Sequence, residues 1–240
     1  MKYFLEFDEY INEGRGSWDT LSSSLVSKVF KQWVSDWKAG KKSSSFSDFV
    51  QDSVRNVEFD LTATIYFGKV EGTKIKGFEV LKTTAADGRD EIWSEEDKEW
   101  EDNDPFINID FAINDKWLPG EWSEVYMYLA DVMRHEMEHI TQDGINVGNY
   151  RMGKPNEDDS QLRQLIEFGL LPKHQYLLLP KEIDANLQGI RYEAKKRKIP
   201  MIDAVNKYLD TQQYLTNETR EEVLTTWRRR AKKIGGIPTF

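Results

Sequence analysis

An α+β fold is predicted for this 240-residue chain by the changing period of its apolar residues. Apolar positions recur every three or four residues over 17–39 and 123–142, alternate with mostly polar ones over 57–67 and 107–113, and turn helical again after residue 155. The first two segment types together specify helices packed on a small sheet. At 39% hydrophobic and 12% aromatic residues, with eight tryptophans, the chain can bury a sizeable core in one or two domains.

Taken in order, Leu21, Leu25, Val29, Trp33 and Trp37 repeat every four residues and predict an amphipathic helix over 17–39. The serine-rich stretch Ser43 to Ser47 reads as a loop. Val57, Phe59, Leu61, Ala63, Ile65 and Phe67 predict a strand, with Lys74 to Leu81 as its hairpin partner across a Glu71-Gly72 turn. Ile107, Ile109, Phe111 and Ile113 predict another strand. Pro119-Gly120 breaks the chain, and Val125, Leu129, Met133 or Val132, Met137 and Ile140 then predict a helix from a Ser123 N-cap to a stop at Gly144. A glycine- and asparagine-rich stretch runs on to Pro155, and a later helix begins at Pro180.

The net charge is -9 and the charge is segregated. Nine acidic residues lie between Asp90 and Asp104, whereas 195–198 and 228–233 are basic runs. The acidic stretch lacks the ligand spacing and glycine of a calcium loop and reads as a surface loop. With this overall charge the basic runs read as solvated faces, so a nucleic-acid partner is not expected. There is no cysteine, which removes disulfides and thiolate metal ligands and fits a cytoplasmic protein. The start of the chain is too acidic for a signal peptide, and no apolar run reaches the roughly eighteen residues of a membrane span.

Only three histidines occur, and two of them bracket a glutamate in His135-Glu136-Met137-Glu138-His139. On the predicted helix the two imidazoles fall on one face, where both can reach one cation with Glu136 beside them. This H-E-x-x-H spacing points to zinc-dependent hydrolysis. Catalytic zinc commonly takes three protein ligands, and the downstream candidates are His174, Glu182 and Asp184. Glu182 is preferred because it lies in the first turn after Pro180, where the helix dipole favours a carboxylate. Asp184 is rotated by about 200° from it around the same helix.

In these residues the chain resembles the zincin metallopeptidases, specifically the gluzincin type, over Arg134 to Gln142 and Pro180 to Gly189. The resemblance implies a zincin-like α+β fold: a small mixed or antiparallel sheet packed on the motif helix, followed by a mainly helical carboxy-terminal half. It implies Zn2+ on His135, His139 and Glu182, with Glu136 as the base that assists attack of a zinc-bound water on a peptide bond. Residues 1–144 would carry the sheet and motif helix, and 145–240 the third ligand, together forming one compact catalytic unit. Many gluzincins place an aspartate one turn beyond the glutamate ligand, where this chain has Asn186. An amide oxygen can accept from an imidazole N–H but lacks the charge that raises ligand basicity. A further donor to the oxyanion is sought among His174, Tyr176 and Tyr150, although Tyr176 also reads as a core aromatic and His174 as an exposed loop residue. Zincins bind extended peptides along a sheet edge, so Phe106 to Asn114 is the expected substrate strand, with an interior strand as the alternative.

The opening Phe7-Asp8-Glu9-Tyr10-Ile11-Asn12-Glu13-Gly14 resembles a short leader of some tailed-bacteriophage proteins and implies a viral gene acting in a host cytoplasm or virion. The expected activity is zinc-dependent cleavage of a protein or peptide. Two alternatives are a metal-stabilised structural or assembly protein without turnover and a nucleic-acid-associated protease using the basic carboxy-terminal helix. Glu136 favours catalysis, because a structural site needs ligands but no base.

Overall fold

The computed structural model describes residues 2–53, 57–68, 78–86, 91–94, 99–102, 105–142, 157–234 and 237–240. The chain divides into two compact units, one of residues 25–154 and one combining 1–24 with 155–240. The boundary near residue 144 read from the sequence lies outside the described residues.

The fold is mixed α+β. In the unit 25–154, helix α1 (Lys2–Lys38) contributes its carboxy-terminal half. Leu25, Val26, Val29 and Trp33 are buried at three- and four-residue steps, as the sequence predicts. The Trp33 indole N–H donates to the Ala63 carbonyl (3.2 Å), and its ring packs against Phe111 at 5.5 Å. Two residues before the end of α1, Asp36 accepts from Ser44 Oγ (2.6 Å) and Gln32 Nε2 (2.8 Å) and pairs with Lys41 (2.7 Å). These bonds tie the helix to the strand that follows.

That strand, β1 (Ser43–Asp52), occupies the serine-rich stretch expected to be a loop. Ser44 and Val50 turn into the interior, so the segment supplies an inward face once β2 (Val57–Gly68) hydrogen-bonds to it. The four-stranded sheet is completed by β3 (Phe78–Ala86) and β6 (Phe106–Asn114), in the order β1-β2-β6-β3. β1 and β2 are antiparallel, β2 and β6 parallel, and β6 and β3 antiparallel. Strands β4 (Glu91–Ser94) and β5 (Glu99–Asp102) form a separate antiparallel pair inside the acidic stretch.

Two expectations change here. The antiparallel partner of β2 is β1, not a hairpin strand at 74–81, while β3 pairs with β6. The Glu71-Gly72 turn lies outside the described residues. The strand Phe106–Asn114 is interior, flanked by β2 and β3, and presents no free edge for a peptide. Its alternate residues Ile107, Ile109, Phe111 and Ile113 are buried because it sits mid-sheet.

After β6, the Asn114 side chain accepts from the Lys116 N–H (3.1 Å) in a short 3-10 turn, and the chain enters α2 (Trp122–Gln142). Helix α2 packs on β3 and β6. Ser123 lies inside its first turn, not before it, and Gly144 is outside the described residues.

The other unit is helical. It contains α3 (Glu157–Glu167), a 3-10 helix (Lys173–Leu178), α4 (Pro180–Arg197), α5 (Met201–Thr211) and α6 (Asn217–Ile234). Leu177, Ile183, Leu187, Ile190, Val205 and Trp227 lie in its core. The Trp227 indole N–H donates to the Leu177 carbonyl at 2.7 Å. Helix α4 is buried on every side from Glu182 to Ile190, its carboxylates Glu182, Asp184 and Glu193 are met by cations of this unit, and its own Arg191 meets Asp19 of α1. Arg163 pairs with Glu182, Arg230 with Asp184, Arg191 with Asp19, and Arg197 and Lys207 with Glu193. No helix among the described residues is long and apolar enough to cross a membrane.

Candidate metal centre

The last turns of α2 carry His135, Glu136 and His139. Helical geometry sets the two histidines one above the other. Their rings meet edge to face with centroids 4.8 Å apart, and the two Nε2 atoms stand at 3.1 Å. One ligand atom from each of the three residues lies within 4.8 Å of the others. Met133, Met137 and Ile140 are buried on the same helix, which fixes its rotation, while the two histidines remain half-buried. The Glu136 carboxylate is almost fully buried, at 4% exposure.

This donor set fits a borderline-soft divalent ion such as zinc. Two imidazole nitrogens on one tetrahedral zinc, at roughly 2.0–2.1 Å each, lie roughly 3.3 Å from one another. The observed 3.1 Å is close to that spacing. Arg134, immediately before the motif, and Glu138, within it, form an ion pair across a helical turn (2.8 Å), both side chains being nearly inaccessible. Opposite charges at i and i+4 were the available sequence signal for this pair, which the motif's own histidines overshadowed.

Of the remaining residues singled out by the sequence, His174, Tyr176, Glu182, Asp184 and Asn186 belong to the helical unit. Glu182, fully buried in the first turn of α4, accepts from Arg163 Nη2 at 2.6 Å. Asp184, two residues on and also fully buried, accepts from Arg230 Nε at 2.6 Å and from its Nη2. This pairing raises the Arg230 pKa further above its ordinary value, chiefly through the hydrogen bond to Asp184. Asn186 is buried one turn after Glu182, and its Nδ2 has no hydrogen-bond partner among the described residues. His174 Nε2 lies 2.9 Å from the Gln175 amide nitrogen and 3.6 Å from Glu222. Tyr176 is not a core aromatic: it is 36% exposed, with the Arg163 guanidinium 5.7 Å from its ring centroid, and Leu177 takes the buried position beside it. Tyr150 lies outside the described residues.

The basic runs are largely committed to internal acceptors. Lys195 reaches Asp19, Lys196 reaches Ser23, Arg197 reaches Glu193, Arg228 reaches the Phe240 carbonyl and Arg230 reaches Asp184, and the exposed Lys198, Arg229, Lys232 and Lys233 remain. Comparison with protein-family models, with curated proteins and with solved structures returns no match.

Proposed function

We propose that this chain is a zinc-dependent metallopeptidase of zincin-like architecture, with metal on His135 and His139 and Glu136 as its general base. The observation that carries the reading is the convergence of the His135 and His139 Nε2 atoms, 3.1 Å apart, with the Glu136 carboxylate in the same group. Zinc, when bound, supplies a Lewis acid that stabilises charge developing on the scissile carbonyl oxygen. Glu136 takes a proton from the attacking water as its oxygen bonds to the carbonyl carbon, and returns it to the amide nitrogen as the C–N bond breaks. Burial keeps that carboxylate away from bulk water, and the rigid helix holds it beside the ligands. The third ligand implied by the gluzincin resemblance is Glu182, and the substrate class is a cytoplasmic protein or peptide.

The test is zinc content by mass spectrometry on wild type, His139→Ala, Glu182→Ala and Glu136→Gln, with cleavage of a denatured protein mixture followed in parallel. One zinc per wild-type chain, its loss in both alanine variants, and a Glu136→Gln protein that keeps zinc but cleaves nothing are the expected results. Zinc without wild-type cleavage makes the site structural. A wild type without zinc makes the motif a coincidence, and Glu182→Ala retaining full zinc removes Glu182 from the ligand set.

A further inference from the structure

Strand β1 forms one outer strand of the four-stranded sheet, with β2 on one side and, among the described residues, nothing on the other. It is ten residues long, pairs with β2 without a shift of register, and contains no proline, glycine, lysine or arginine. Sheet edges are normally interrupted by such residues or by a bulge, because an unbroken row of free N–H and C=O groups templates another strand.

The phase of that row can be read. The Phe67 N–H donates to the Lys42 carbonyl at 2.8 Å, which makes Lys42 and Phe67 a hydrogen-bonded pair just before the first β1 residue. By alternation, the even-numbered residues of β1 direct their backbone groups at β2, while Ser43, Ser45, Ser47, Phe49 and Gln51 direct theirs outward. The same five side chains are exposed, Phe49 by 59%.

We propose that β1 is a self-association edge: two copies of this chain join β1 to β1 antiparallel about a two-fold axis at Ser47, continuing one sheet into the other. In that register Ser47 meets its own copy, Ser45 meets Phe49 of the partner subunit and Ser43 meets Gln51 of the partner subunit. Outward-facing residues thus meet outward-facing residues throughout, for about ten N–H···O bonds. At each end the exposed Lys42 stands opposite Asp52 of the partner subunit, an opposite-charge pair that occurs twice. The other register that overlaps the whole strand, centred on Asp48, sets that carboxylate against its own copy and is disfavoured. In the Ser47 register Asp48 keeps its ion pair with Lys28 (3.0 Å). The occupant is therefore a second copy, selected by the strand's own charge pattern.

The full chain tests this. Light scattering across micromolar concentrations is expected to show the mass rising from 28.1 kDa toward twice that value. The chain has no cysteine, so Ser47→Cys reports the axis directly. Facing residues in such a pair have Cα atoms about 5.5 Å apart, within disulfide reach, so mild oxidation yields a covalent dimer. Gln51→Cys, which faces Ser43 of the partner subunit, does not cross-link. Ser47→Pro deletes an outward N–H and leaves the β2 ladder whole, so association falls at least about tenfold. A wild type that stays at 28.1 kDa, a Ser47→Pro chain that associates normally, or Gln51→Cys cross-linking as readily as Ser47→Cys overturns the proposal. Should Ser47→Pro fail to fold, the two cysteine variants decide alone. Zinc-site variants leave all of these results unchanged, which separates this inference from the metallopeptidase reading.

Discussion

The Nε2 atoms of His135 and His139 stand 3.1 Å apart on one face of α2, a relationship produced by a single turn of helix. Nothing beyond local backbone geometry is needed to bring them together, so the pair is present as soon as the helix forms. Glu136 rides on the same turn and is buried beside them.

Kinetics follow from that arrangement. Glu136→Gln keeps the shape of the site and removes its base, so kcat on a peptide substrate is expected to fall by about 10²–10⁴ with zinc content and KM little changed. His139→Ala lowers zinc content and kcat together. Parallel metal analysis and steady-state kinetics distinguish the two, and equal zinc loss in both variants counts against Glu136 as a base.

The Arg134–Glu138 pair supports the motif helix from inside the fold. Both side chains are almost inaccessible, at 1% and 4%. Removing the carboxylate alone with Glu138→Ala strips an acceptor from a buried guanidinium and is expected to cost about 3 kcal/mol. Replacing both residues with methionine costs less, because no charge is then left inside. Urea denaturation of Arg134→Met, Glu138→Met and the double methionine variant closes the cycle, and additive losses refute coupling.

Acid stability depends in part on Asp36. Hydrogen bonds and the charge of Lys41, with Ser44 and Gln32 as further donors, lower its carboxyl pKa from 3.8 to about 2. A group depressed on folding stabilises the native state above its unfolded pKa and loses that contribution as pH falls toward the folded value. The contribution is therefore complete above about pH 4 and lost progressively toward pH 2. Asp36→Asn is expected to lower Tm at neutral pH and to flatten the dependence of Tm on pH across that window. A variant with the wild-type slope excludes this residue as a source of acid sensitivity.

Within the helical unit, Arg230→Ala leaves the fully buried Asp184 carboxylate without its guanidinium. The loss expected is about 3 kcal/mol by guanidinium chloride denaturation. Arg230→Lys recovers only part of it, because an ammonium does not reproduce the two-point contact of Nε and Nη2. Full recovery by lysine shows that charge alone matters there.

How much of this was legible in the sequence varies with the range of the interactions. The helical spacing of Leu25, Val29 and Trp33, the alternation in β2 and β6, and the start of α4 at Pro180 all read correctly because each is a local periodicity. β1 is not legible in the sequence because its serines resemble a loop. Its strand character comes from Ser44 and Val50 turning inward opposite Ile65 and Phe59, a pairing with residues well removed in the chain. The parallel contact of β2 with β6, which makes β6 interior, is likewise non-local.

The His135, Glu136 and His139 cluster is set by local sequence, because residues one and four apart on a helix are neighbours whatever the rest of the chain does. Which strands meet, and which cations hold Glu182, Asp184 and Asp19, depends on the packing of distant elements. Those partners come from other elements, up to 176 residues away for Asp19 and Lys195, and no local period encodes such a distance. Burial decided them: a carboxylate taken out of water must find a donor, and the fold, not the spacing, determines which one is within reach.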